Sequence, residues 1–162
     1  MPAHKLVLDD VFEEAYKLIA IHCSVEEYKL AFLLNKHLNL RLARSRKDID
    51  FQIAGAHVLF ALYRFEDQFK YCDYYLVSNI SKAEDRSTAN PNSLFGEKDM
   101  TLKKSYLLPE FKKVDFFLKI EEEINSVSEK LLLEKIKEIP QVSMAYSIDH
   151  QQVKSKENLI FD

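Results

Sequence analysis

The sequence predicts an α+β fold: a two-layer sandwich in which two helices cover one face of a mostly antiparallel sheet. Three observations predict it. Strand-like stretches lie near both ends of the chain, at Tyr16–Cys23 and Val142–Ile148, and a third runs from Val114 to Ile120; the last two alternate between apolar and other positions, the period of a strand. Two stretches with apolar residues at helical spacing each follow a Ser-x-x-Glu sequence, at Ser24 and at Ser126. Glycine is nearly absent, with only Gly55 and Gly96, which disfavours an all-β fold built on many tight turns.

In chain order, His4–Leu8 reads as a short edge strand and Asp9–Glu14 as an acidic loop or helical turn. Tyr16–Cys23 is apolar on both faces, as a central strand is. Ser24-Val25-Glu26-Glu27 is a capping box, in which the Ser hydroxyl and the Glu carboxylate satisfy free backbone N–H groups. The helix runs to Leu38 or Asn39, with Tyr28, Ala31, Leu34 and Leu38 on its buried side, thickened by Leu30 and Phe32. Leu40–Arg44 reads as a strand with Leu40 and Leu42 inward and Arg41 outward. His57–Phe65 and Phe69–Ser78 form an aromatic hairpin around Glu66-Asp67-Gln68, since aromatics favour strands and pair across them. A long polar loop occupies about 81–106.

Glu121–Glu123 leads into a second helix with its own capping box at Ser126–Glu129, and Ile124, Val127, Leu131, Leu132, Ile136 and Ile139 form its buried side. Pro140 ends it. In the last strand Val142, Met144, Tyr146 and Ile148 share one face, and the small residues Ser143, Ala145 and Ser147 share the outward one. Strand, capped helix, strand thus occurs twice in a single domain, 1–162, and the more specific expectation is a decorated ferredoxin-like sandwich.

One stretch reads as a signature, not a core pattern: Leu108-Pro109-Glu110-Phe111-Lys112-Lys113-Val114-Asp115-Phe116. Pro109 marks the entry to a strand. Val114, Phe116, Leu118 and Ile120 point one way; Asp115, Phe117 and Lys119 point the other. The stretch resembles the signature of a bacterial family named after its motif, the IPExxxVDY family. Pro109, Glu110, Val114 and Asp115 match that motif, while Leu108 stands for Ile and Phe116 for Tyr. The ending Ser155–Phe161 is also similar to that family's C-terminus, so the resemblance spans nearly the whole chain. It implies no chemistry, and the missing hydroxyl at Phe116 argues for packing at that position.

Composition bounds the function. The net charge is -3 and 30% of residues are charged, which is ordinary for a soluble protein and speaks against a nucleic-acid partner despite the Arg41, Arg44, Arg46, Lys47 cluster. Two distant cysteines, Cys23 and Cys72, and no signal-like start predict reduced thiols in a cytoplasm. No apolar run is long enough for a membrane helix. The scarcity of glycine excludes phosphate-cradling loops. Five histidines without metal spacing and no Cys-x-x-Cys predict no metal and no cofactor.

Glu110 and Asp115 are either paired carboxylates for acid–base work or cation binding, or a strand-entry salt bridge with Lys112, Lys113 or the arginine cluster, the favoured reading. Glu110, Asp115 and Lys113 are the candidate ligand- or partner-binding residues. Cys23, at a strand–helix junction that lowers thiol pKa, is a weaker candidate nucleophile, with His57 as a remote base; His22 points to the opposite face. The aromatic hairpin is read as core and dimer contact before RNA stacking. Together these favour a non-enzymatic module that binds itself or a protein partner. The alternative is a small-molecule binder or cryptic enzyme using the carboxylates of the signature, with the long loop as its lid.

Overall fold

The computed structural model describes residues 16–53, 56–84 and 102–161. The expected strand at His4–Leu8 and residues 85–101 of the long loop lie outside the described residues. The elements run β1 (Tyr16–Cys23), α1 (Glu27–Leu38), β2 (Ala43–Arg44), β3 (Ile49–Ile53), β4 (Ala56–Phe60), β5 (Leu62–Asp67), β6 (Cys72–Ser78), β7 (Ile80–Glu84), β8 (Leu102–Tyr106), β9 (Phe116–Glu122), α2 (Glu129–Lys137) and β10 (Val142–Ile148).

The α+β sandwich is present. Six strands form one sheet in the order β10-β1-β9-β6-β5-β2, antiparallel at every pairing. Within it, β1-α1-β6 and β9-α2-β10 are two split βαβ units, each with one strand of the other between its own two. That is the ferredoxin-like order, extended past β6 by β5 and β2. Two further pairs, β3–β4 and β7–β8, stand outside this sheet. The second pair occupies both ends of the segment expected to be loop.

Both faces of the sheet are buried. On one, Ile19, Ile21, Leu76, Leu118 and Ile120 pack against Leu30 and Leu34 of α1 and Leu132 and Ile136 of α2. On the other, Leu18, Ala20, Val77 and Phe117 pack under Val58 and Phe60 of β4, Leu107, Leu108 and Val114, and Val153 and Leu159 near the C-terminus. The two layers expected from sequence are therefore joined by a third, mostly irregular one. This double burial explains why β1, β6 and β9 carry apolar residues on both faces, at Leu18–Ile21, Tyr74–Val77 and Phe116–Leu118.

Several boundaries differ from expectation. Helix α1 starts at Glu27 with Glu26 as its uncapped N-cap residue, so Ser24 forms no capping box. Its Tyr28 (61% exposed) and Phe32 lie outside the core. Helix α2 is capped by Ser128, whose hydroxyl accepts from Leu131 N–H, because β9 carries the chain through Glu122 first. Ile124 and Leu131 (58% exposed) are accordingly on the surface. The aromatic hairpin is β5–β6 alone, with Phe65 directly opposite Tyr74 and the rings stacked at 6.0 Å. Phe69 is 97% exposed at its turn, beside the exposed Tyr71. Tyr71 takes a left-handed backbone conformation (φ 51°), which the turn imposes.

The third layer is held by a buried lysine. Lys119 of β9 is 3% exposed. Its Nζ donates to the Leu159 carbonyl at 2.8 Å and pairs with Glu121. It also lies over the rings of Tyr16, Tyr75 and Phe161, 4.9 Å from the first. A lysine in an apolar face needs such partners. Lys119→Met keeps the volume and removes the donor. It is expected to speed amide exchange of 153–161 about tenfold, for a loss of about 1.5 kcal/mol, with α1 unchanged; hydrogen exchange read by mass spectrometry checks this.

Candidate functional site

The signature stretch is a turn before it is a strand. Pro109–Phe111 forms a single 3-10 turn, and Phe111 O accepts from Val114 N–H at 3.0 Å. Strand β9 begins only at Phe116. Val114 therefore lies in the layer of Phe117, away from the helices, and not with Phe116 and Leu118 as the alternation predicts. The turn reverses the side-chain direction that a continuous strand would have kept.

Asn79, at the end of β6, holds this turn. It is fully buried, at 0% exposure. Its side-chain amide donates to Phe111 O at 2.8 Å and Val114 O at 2.9 Å, and its Oδ1 accepts from Leu108 N–H at 2.9 Å. Its backbone N–H donates to Asp115 O, and its carbonyl accepts from Leu107 N–H. Sequence reading passed over this residue. Its only signal is an asparagine between the apolar Val77 and Ile80, a pattern that a surface turn shares.

The two predicted carboxylates are not brought together as a pair. Glu110 Oε1 accepts from the backbone N–H groups of Lys154 and Ser155 at 2.7 and 2.9 Å, and Oε2 accepts from the Ser155 hydroxyl at 3.1 Å. Partial burial works to raise its pKa. Donation by Ser155, by its own N–H and by Lys154 outweighs this and holds it below the ordinary carboxylate range. Asp115 Oδ2 accepts from Cys23 N–H at 2.9 Å, at the end of β1. Neither makes an ion pair among the described residues, so backbone amides stand where the salt bridge was expected. Lys113 is exposed.

Cys23 is buried and free. Burial pushes its thiol up, the Val25 N–H pulls it down, and nearby Asp115 raises it again, for a net rise. The helix start was expected to lower it; the desolvated, acidic surroundings win. His22 Nε2 lies 3.3 Å from Tyr146 OH and His57 Nδ1 lies 3.2 Å from Asp50, so neither ring serves the thiol. Among the described residues, no cluster of His, Cys, Asp or Glu is placed to hold a metal ion, and no helix is long and apolar enough to cross a membrane.

Two of the grooves among the described residues bear on the hairpin and on the candidate carboxylates. One, of about 590 Å³, is lined by Glu66, Asp67, Asp73, Glu121 and Glu122 with Arg64, and Arg64 reaches Glu66 at 2.6 Å. Burial is the main cause raising the Asp73 carboxyl pKa; Arg64 opposes it, and Glu66, Glu121 and Glu123 add to it. The aromatic hairpin thus presents acid, not base, to the solvent. The other, of about 500 Å³, has Cys23, Glu26, Arg44, Asp48 and Asp115 in its wall. Arg44 is paired there with Asp48 and Glu27, so this member of the basic cluster is neutralised.

The sheet has two unlike edges. At one, β2 is two residues long and carries the charged Arg44. At the other, β10 is Val-Ser-Met-Ala-Tyr-Ser-Ile, seven residues without a charge or a proline. Opposite Cys23 is Val142, and opposite His22 is Met144. Ser143 is therefore an extra residue, a β-bulge, and its hydroxyl donates to the His22 carbonyl at 3.1 Å. The bulge shifts the faces: Ala145 is buried on the helix side, Tyr146 and Ile148 face the third layer, and Met144 is 55% exposed. The expected small outward row of Ser143, Ala145 and Ser147 is thus the helix side of an edge strand, with Ala145 covered.

No known family model matches the chain, and no curated protein matches it.

Two outcomes are expected. Asn79→Ala strands the Leu108 N–H and two carbonyls, so stability should fall by at least about 3 kcal/mol. Urea unfolding should show a lower midpoint at unchanged slope. Glu110 is ionised more readily in the folded state, so its contribution is full above the ordinary glutamate pKa of about 4.3 and is lost as pH falls through the lower folded value. Glu110→Gln should cost about 1–3 kcal/mol at pH 7, and the gap to the parent protein should shrink in urea titrations at pH 3.

Proposed function

We propose that this chain is a non-enzymatic interaction module, binding itself or a protein partner through the open edge of β10. One observation carries the reading: among the described residues no strand pairs with the outer edge of β10, which is seven residues without a charge. Edge strands expose a row of unpaired N–H and C=O groups, and proteins that must not associate blunt them with charge, proline or shortness. β2 is blunted in this way and β10 only by its bulge. An edge left open in a folded domain is a site for an added strand.

The carboxylates of the signature support the same reading from the other side. Glu110 and Asp115 accept hydrogen bonds from the protein's own backbone, so they enter this proposal as frame, not as ligand groups. Membership of the IPExxxVDY family remains part of the proposal, on the matching residues Pro109, Glu110, Val114 and Asp115. A cytoplasmic location is proposed with it, since two buried free thiols suit a reducing compartment.

Native mass spectrometry of gently purified protein tests the reading. The expected result is a complex, with itself or with another polypeptide, that is lost in Met144→Lys. That substitution sets a charge on the edge without touching the buried side chains. A complex that survives Met144→Lys, or a bare parent monomer, overturns it.

A further inference from the structure

We infer that the occupant of the β10 edge is a second copy of this chain, paired antiparallel about a twofold axis that passes through Tyr146; this rests on the edge reading proposed above. The bulge in β10 decides which residues can pair. It takes Val142 and Ser143 out of the regular ladder, whereas Met144 to Ile148 keep an unbroken register against β1, from His22 to Leu18. A bulge ends pairing and pins register. The regular edge is therefore Met144-Ala145-Tyr146-Ser147-Ile148, and its middle residue is Tyr146.

A twofold interface must be self-complementary: if one residue opposes another, the reverse holds in the partner. About Tyr146 the five residues meet this demand. Met144 opposes Ile148, Ala145 opposes Ser147, and Tyr146 opposes itself. Apolar meets apolar, small meets small, and an aromatic pair sits on the axis; aromatic cross-strand pairs are stabilising. The pairing also keeps the faces in step, since residues an even number apart share a face. Helices lie on the same side of both copies, and two six-stranded sheets join into one. The exposed Met144 would then lie beside an isoleucine.

Moving the axis toward the bulge weakens the match. About Ala145, the pairs Val142–Ile148 and Ser143–Ser147 both need the residues displaced by the bulge. About Met144, Ile148 meets Pro140, which has no N–H to give.

Disulfide trapping reads the register directly. Directly opposed residues have their Cα atoms about 4.5–5.5 Å apart, inside the range a disulfide spans. Tyr146→Cys is expected to give a covalent dimer on air oxidation that reverts with reductant. Met144→Cys alone should stay monomeric on a non-reducing gel, because its counterpart lies four residues along the partner strand. Cys23 and Cys72 are buried and do not compete. A mixture of Ala145→Cys and Ser147→Cys chains should cross-link more than either alone, which keeps the test decisive if Tyr146→Cys does not fold. No cross-link in either arm, or one as strong from Met144→Cys or from Ala145→Cys alone, overturns the proposed pairing. If cross-linking fails while Met144→Lys still removes a heteromeric complex, the edge reading stands and the second copy does not.

Discussion

A single buried asparagine sets the geometry of the third layer. Asn79 has every hydrogen-bonding group of its side chain and backbone engaged with residues 107–115. A buried amide is stabilising only when it is satisfied, because each orphaned group costs its full desolvation. The turn at Pro109–Phe111 must therefore take the one shape that fits Asn79. That shape drives Leu107, Leu108 and Val114 into the apolar layer and aims Glu110 and Asp115 in different directions.

From that fixed turn two carboxylates reach out and tie distant parts of the chain. Glu110 collects the amides of Lys154 and Ser155, and Asp115 collects the amide of Cys23 where β1 ends. Lys119, one strand further on, holds Leu159 and the rings around it. Three polar side chains thus close a layer that has little regular structure of its own. The signature and the C-terminal stretch bind one another through Glu110.

The signature is consumed by internal bonds, both sheet faces are covered, and the Cys23 thiol is desolvated. Among the described residues no strand covers the outer edge of β10, and its bulge takes Val142 and Ser143 out of the regular ladder.

How much of this was legible in the sequence depends on the range of the forces involved. Period-two and helical spacing are local, so the sandwich, the β5–β6 hairpin, α1 and the span of β10 could be read directly from residues such as Phe116–Ile120 and Val142–Ile148. The scarcity of glycine likewise bore on fold class without any structure. Side-chain partners are not local. Whether Ser24 or Glu26 begins a helix depends on how the chain leaves β1. Whether Leu131 is buried depends on where α2 starts after β9. The carboxylates of Glu110 and Asp115 looked like a pair because they are five residues apart, yet a turn held by Asn79, some thirty residues earlier, sends them to different partners. The sequence by itself determined the two helices, the principal strands of the main sheet and that strand–helix–strand occurs twice. Only the tertiary structure decided what the polar residues do and which described strands end the main sheet, because a hydrogen-bonding group is committed by whatever the fold brings within 3 Å of it.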